Sequence, residues 1–183
     1  MFSCAGIEAA ASAARRPPTI MINELMARLE PLRGAWAGQG SGDYPTIDAF
    51  QYQERLTFEF AASYPLIHYE QRTLLLPGLE PSHWESGFIR PLEDGMVEVS
   101  SSQDSGRVEV LRGPAVATGQ DTHDLHLVLD HVVLGHDDRL AATRRELTVT
   151  GDTLTYLVSM ATHTTPSPLL QQHLRATLQK VPG

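Results

Sequence analysis

Eight histidines carry most of the chemistry open to this sequence: His68, His83, His123, His126, His131, His136, His163 and His173. A neutral imidazole ligates metals, and near neutral pH it also takes up or gives up a proton. Four of the eight fall between 123 and 136 among Asp121, Asp124, Asp130, Asp137 and Asp138, which invites a metal reading. Their spacing speaks against it. On a strand His126 and His131 face opposite sides, His123 and His136 sit at its ends, and no HxxxH pair or thiolate completes a site. His83, after Pro81 and Ser82, and His173 are isolated in sequence, where a hydrogen-bonded structural histidine is the default. Carboxylates are a second source of chemistry. Glu54, Glu85 and Glu109 sit in strand-like runs, where a pair would serve acid/base work and where ion pairs with arginines such as Arg55, Arg90 or Arg107 are the commoner use. No GxSxG elbow offers a nucleophile, and Cys4 lies in the N-terminal tail. The run GAWAGQGSG puts Gly34, Trp36, Gly38, Gly40 and Gly42 on one alternating face. Glycines so placed admit a backbone, a helix or a flat ligand, or simply let a barrel strand bend. No Lys-Ser/Thr follows and no strand-to-helix switch occurs, so the run is not a phosphate loop.

The elements that must hold these residues begin with a short helix. From Met21 to Leu32, Asn23 offers an N-cap, Leu25, Met26 and Leu29 follow at helical spacing, and Pro31 closes the segment as a lid-like helix. The period then changes to two. In AFQYQERLTFEF, Phe50, Tyr52, Leu56, Phe58 and Phe60 face one way while Gln51, Gln53, Arg55, Thr57 and Glu59 face the other. Similar runs span Leu66–Leu76, Trp84–Arg90, Met96–Ser101, Arg107–Leu111, Leu125–Leu134, Leu140–Val149, Leu154–Met160 and Leu174–Val181, separated by Gly, Pro and Asp turns. With Gly34–Gly42 and the Phe50 run this makes about ten strands, too evenly spaced for a parallel sheet with helical crossovers. The predicted fold is all-β: an antiparallel up-and-down barrel of about ten strands with a short N-terminal helix. Closure removes exposed edges and encloses a ligand cavity; an open sandwich is the structural competitor.

Composition bounds the partners. In 183 residues, 14 Lys+Arg stand against 22 Asp+Glu, a net charge of −8, and the basic residues form no block longer than the pairs Arg15-Arg16 and Arg144-Arg145. That balance lacks the footprint of a nucleic-acid binder. One cysteine excludes an internal disulfide, a thiolate zinc cage and an iron–sulfur cluster, and fits a reducing cytoplasm. No stretch nears the ~20 apolar residues that span a bilayer, so no membrane partner is expected. The Ala-rich residues 1–20 place their arginines after the apolar run and are predicted to be a disordered extension, with one domain from 21 to 183.

Taken together, GAWAGQGSG at 34–42, YPTI at 44–47, FQYQE at 50–54, HYEQRT at 68–73, HWESGFIRP at 83–91, SGRVEVLRG at 105–113, SMATHTTP at 159–166 and HLRATL at 173–178 resemble the nitrobindin family, from about residue 30 to the end. The resemblance implies a ten-stranded barrel, related in shape to fatty-acid-binding proteins and lipocalins, that holds a b-type haem at its mouth. By the same resemblance the axial iron ligand maps onto His173, a haem-contacting threonine onto Thr46, and pocket-lining positions onto His83 and Met160. The implied activity is binding of nitric oxide and, in the ferric state, conversion of peroxynitrite to nitrate. The implied assembly is a homodimer. Two departures from the pattern stand out. The stretch ATHTTPSPLLQQ before His173 is longer than usual, which makes His163 a competing ligand, and Asp137-Asp138-Arg139 stands where many relatives carry a lysine that reaches the haem edge or propionate. The alternative function is a haem-free barrel that carries a small apolar ligand.

Overall fold

The computed structural model describes residues 18–117, 124–164 and 168–182. Residues 1–17 of the expected extension, and His123, lie outside the described residues. The chain opens with helix α1 (Pro18–Leu29), whose last turn tightens into a 3-10 turn over Glu30–Leu32 where Pro31 ends the α ladder. The helix starts earlier than its pattern suggests, so Asn23 lies inside it, exposed, rather than at its N-cap.

Eleven strand segments follow: β1 (Gly34–Tyr44), β2 (Ile47–Phe60), β3 (Ile67–Leu75), β4 (Glu80–Pro91), β5 (Val97–Gln103), β6 (Val108–Gly113), β7 (Ala115–Ala117), β8 (Leu125–Gly135), β9 (Leu140–Thr150), β10 (Thr153–Thr162) and β11 (Gln171–Val181). They form one antiparallel sheet in the order β6-β5-β4-β3-β2-β1-β11-β10-β9-β8-β7, and β6 also pairs with β8. That pairing closes the barrel. Pro114 has no N–H for the ladder and splits one stave into β6 and β7, both of which lie along β8, so the eleven segments are ten staves. The closed form excludes the open sandwich.

Each strand buries alternate residues, as a barrel with a filled interior requires. On β2 the inward set is Tyr52, Glu54, Leu56 and Phe58; on β11 it includes Ala176 and Leu178. Helix α1 packs against β7 and β4 and plugs one end with Leu25, Leu29 and Leu32. The indole N–H of Trp36 donates to the Leu32 carbonyl at 2.8 Å, tying the plug to the start of β1. Ala35 pairs with Val181 at that end, and Gly42 pairs with Leu174 at the other. The plug therefore leaves the end of the barrel near His173 to form the mouth.

Candidate functional site

A cavity of about 280 Å³ runs into the barrel, lined by residues from the mouth ends of β2, β4, β10 and β11 and by residues deeper down. On the β2, β10 and β11 side its upper wall is apolar, with Phe50, Val158, Met160 and Leu174, while Ser82, His83, Gln103 and Arg107 face them from the β4–β6 side. His173 lines it on the apolar side. Its Nδ1 lies 3.1 Å from the Asp43 carbonyl oxygen. A carbonyl only accepts, so Nδ1 carries the proton and the Nε2 lone pair is left uncommitted. The Tyr44 and Phe50 rings pack edge-on to the imidazole at 5.8 and 6.4 Å between centroids. Burial lowers the His173 pKa; the Asp43 carbonyl opposes this and the Arg107 charge adds to it. The net effect favours the neutral, ligating form.

Met160 on β10 and His83 on β4 line the same cavity, so these two join His173. His83 sits between two carboxylates, with Nε2 3.5 Å from Glu85 and Nδ1 3.7 Å from Asp104. Thr46 is exposed in the β1–β2 turn, at the same end of the barrel but outside the cavity lining. His163 is exposed in the turn after β10, where its backbone N–H donates to the Arg139 carbonyl at 2.8 Å, and it does not line the cavity.

The glycine run does not leave a bare wall. A Cβ on Gly40 would fall 2.2 Å from Tyr52 Cζ, and one on Gly42 would fall 2.3 Å from Phe50 Cζ. Tyr52 and Phe50 are the cross-strand partners of those glycines, so rings of this chain fill the space that a flat ligand was expected to use.

Deeper down the wall holds buried ionisable groups. The three glutamates face inward and are almost fully buried: Glu54, Glu85 and Glu109 expose 2, 2 and 3% of their surface. Their arginine is not Arg55, Arg90 or Arg107 but Arg145, whose guanidinium joins Glu85 at 2.5 and 3.0 Å and Glu109 at 2.7 Å. Arg90 instead pairs with Glu98, and Arg107 with Asp137. The Tyr69 hydroxyl donates to Glu85 at 2.6 Å. Burial alone would raise the Glu85 pKa, but Arg145 and the hydrogen bonds from His83, Arg145 and Tyr69 hold it well below the carboxylate range. Glu54 has no such cation. It accepts from Tyr156 at 2.6 Å and Gln71 at 2.8 Å, with Tyr52 2.8 Å from Tyr156, and burial outweighs those bonds and pushes its pKa up to about 7.

Of the two imidazoles that line the cavity, His83 lies between carboxylates and only His173 has an uncommitted Nε2; one such donor beside apolar side chains suits a metal that brings its other ligands with it. A bare ion needs three or four protein donors, and among the described residues no group of three His, Cys, Asp or Glu is placed to supply them. The donor set and the apolar side of the upper wall therefore fit an iron porphyrin. No helix among the described residues is long and apolar enough to cross a membrane.

Residues 25–180 match the THAP4-like, heme-binding beta-barrel domain. The chain is 38% identical over 160 residues to a protein of Arabidopsis thaliana named peroxynitrite isomerase, a match covering 87% of this chain and 91% of that one. It is 33% identical over 167 residues to the peroxynitrite isomerase of Nocardia farcinica, covering 89% and 95%. The crystal structure of Rv2717c from M. tuberculosis superposes with a TM-score of 0.75 at 32% identity, over 85% of this chain and 98% of that one. The S-type phycobiliprotein lyase CPES of Guillardia theta, with a TM-score of 0.56 at 13% identity, shares the fold alone.

Proposed function

We propose, from the premise that this chain belongs to the THAP4-like haem-binding β-barrel family, the nitrobindins, that it holds a b-type haem on His173 and converts peroxynitrite to nitrate. Nitric oxide is the second ligand of the same site. The observation that carries the reading is the His173 imidazole, held by the Asp43 carbonyl at 3.1 Å with Nε2 uncommitted, beside the apolar side chains of the chamber at the barrel mouth.

Each residue has a separable task. His173 Nε2 would hold the haem iron. The Asp43 carbonyl fixes the ring plane and tautomer and raises the basicity of Nε2, as partners of ligating histidines do. Phe50, Met160 and Leu174 exclude water from the upper chamber, and His83 offers a polar group in its wall between Glu85 and Asp104. Thr46 supplies a hydroxyl at the rim, on the turn that follows Asp43 and Tyr44. When bound, ferric haem supplies the Lewis-acid and redox chemistry that rearranges peroxynitrite to its isomer nitrate, a conversion that adds and removes no atom. No side chain is asked to act as a general base.

Titration of the purified protein with hemin tests the ligand. The wild type should give a Soret band of histidine-ligated haem, His163→Ala should keep it, and His173→Ala should weaken binding by about 100-fold or more. If His163→Ala loses the band instead, the ligand is misassigned. If the wild type gives no band, the cavity belongs to a carrier of apolar molecules. Stopped-flow decay of peroxynitrite with nitrate detection then tests turnover, which fails if ferric protein is no faster than buffer.

A further inference from the structure

Besides His173, three basic side chains line the cavity, and two of them lie between carboxylates. Arg145 lies between Glu85 and Glu109, and His83 lies between Glu85 and Asp104. Arg107 differs. Its partner, Asp137, is shared: Arg107 Nη2 reaches Asp137 Oδ2 at 2.6 Å, while Arg139 takes the same carboxylate through Nε at 2.9 Å and Nη2 at 3.1 Å. Two guanidinium groups on one carboxylate leave one positive charge over. Arg139 is 77% exposed, so water screens its share, whereas Arg107 is 23% exposed and lines the cavity. The Nε atoms of Arg107 and Arg145 are both buried without a hydrogen bond, but only Arg107 stands at the mouth with a surplus charge, where an incoming ligand can complete it.

We propose that Arg107 is the anion-binding residue of the mouth and takes a propionate carboxylate of the haem, with Asp137 and Arg139 as the pair that positions it. The inference rests on the haem reading above. A haem whose iron sits on His173 has its two carboxylates on one edge. The buried carboxylates of Glu85 and Glu109 would repel that edge if it pointed inward, and the surplus charge at Arg107 attracts it outward. The guanidinium supplies what a carboxylate accepts best, a charge-assisted N–H in a planar fork.

Hemin and hemin dimethyl ester separate this contact from the rest of the binding. By Soret titration Arg107→Leu should bind free-acid hemin about ten-fold more weakly than the wild type. The two proteins should bind the dimethyl ester, which lacks the carboxylate charge, with equal affinity. Arg107→Lys should recover most of the loss, and Asp137→Asn should show a smaller loss of the same acid-specific kind. Near-UV circular dichroism of each variant reports whether the barrel is intact. Equal weakening for acid and ester, or none for either, overturns the contact to propionate while leaving the haem reading in place. A wild type with no Soret band overturns both.

Discussion

The two ion clusters of the cavity use the same side chains in opposite proportion. At the floor one guanidinium, Arg145, lies between two carboxylates. At the rim one carboxylate, Asp137, lies between two guanidinium groups. The floor cluster is sealed: Glu85 and Glu109 expose 2 and 3% of their surface. The rim cluster reaches solvent through Arg139. Its setting decides what each can do. A buried charge that loses its partner cannot be rescued by water, so the floor is tied to folding. The rim cluster is only partly buried and carries one cation in surplus, so it can take a ligand's charge as a further partner.

The largest effect should come from breaking the floor. Arg145→Leu strands two buried carboxylates and should cost about 3–5 kcal/mol in urea unfolding. Replacing the whole cluster by Glu85→Gln, Glu109→Gln and Arg145→Met should recover most of that loss, because the penalty lies in unpaired charge rather than in lost attraction. If Arg145→Leu is as stable as the wild type, the floor is wetter than its burial implies.

Glu54 sharpens the contrast within the floor. It lacks the cation that Glu85 has, and its pKa is raised to about 7 by burial, against an ordinary value of 4.5. Below about pH 4.5 both folded and unfolded states carry the proton. Between there and pH 7 the folded state binds more protons than the unfolded one, so stability falls as pH rises through this window, by on the order of 3 kcal/mol in total. Glu54→Gln should remove this slope. Glu85, held low by Arg145, works the other way and loses its contribution only as the pH falls below the usual carboxylate range. A wild-type stability curve with no Glu54-dependent fall between pH 4.5 and 7 would contradict the burial account.

Most of the barrel is legible in the sequence because period-two alternation and turn residues are local properties. The ten expected runs all become strands, while β7 and the earlier starts of α1, β2, β4 and β11 go unannounced. Alternation also carries more than it was asked for. Glu54 has the parity of Tyr52 and Leu56, Glu85 that of Gly87 and Ile89, Glu109 that of Leu111, and Arg145 that of Leu147 and Val149. Each charged residue therefore sits on an apolar face, and four charges on apolar faces of one barrel have to meet inside it. What alternation cannot give is which arginine meets which glutamate. Arg145 and Glu85 are 60 positions apart on staves that are not neighbours in the sheet, and their pairing crosses the interior. His173, inside β11 near its start, carries no local mark, and only the family resemblance singles it out. The filling of the glycine face by Phe50 and Tyr52 follows from register, which the sequence does not state.

That filling gives a milder test of floor against rim. Tyr52 is held by Tyr156 at 2.8 Å, so Gly40→Ala drives a Cβ into a ring that cannot swing away and should cost about 1–3 kcal/mol. Phe50 is half-buried and makes no hydrogen bond, so the ring facing Gly42 can yield. Gly42→Ala should cost less than Gly40→Ala in thermal melts and should be felt instead in haem affinity, because Phe50 packs against His173. Equal costs at the two positions would mean that the upper wall is as rigid as the floor.

The smallest effect belongs to Asp137→Asn. The hydrogen bond from Arg139 is the main reason that the Asp137 pKa lies well below the usual carboxylate range, and Arg107 adds to it. The group is therefore fully ionised at neutral pH, and whatever stability it lends is lost only as the pH falls below its ordinary value of 3.8. Because Arg139 is 77% exposed and Arg107 keeps contact with solvent, the substitution should barely shift the urea midpoint even at low salt. Raising the ionic strength should erase that difference, since screening acts on charges that water can reach. The loss from Arg145→Leu should persist in the same salt, because its partners lie where ions do not penetrate. If salt reduced both losses in proportion, burial would not be what separates the clusters, and the rim would have no special claim to a ligand's charge.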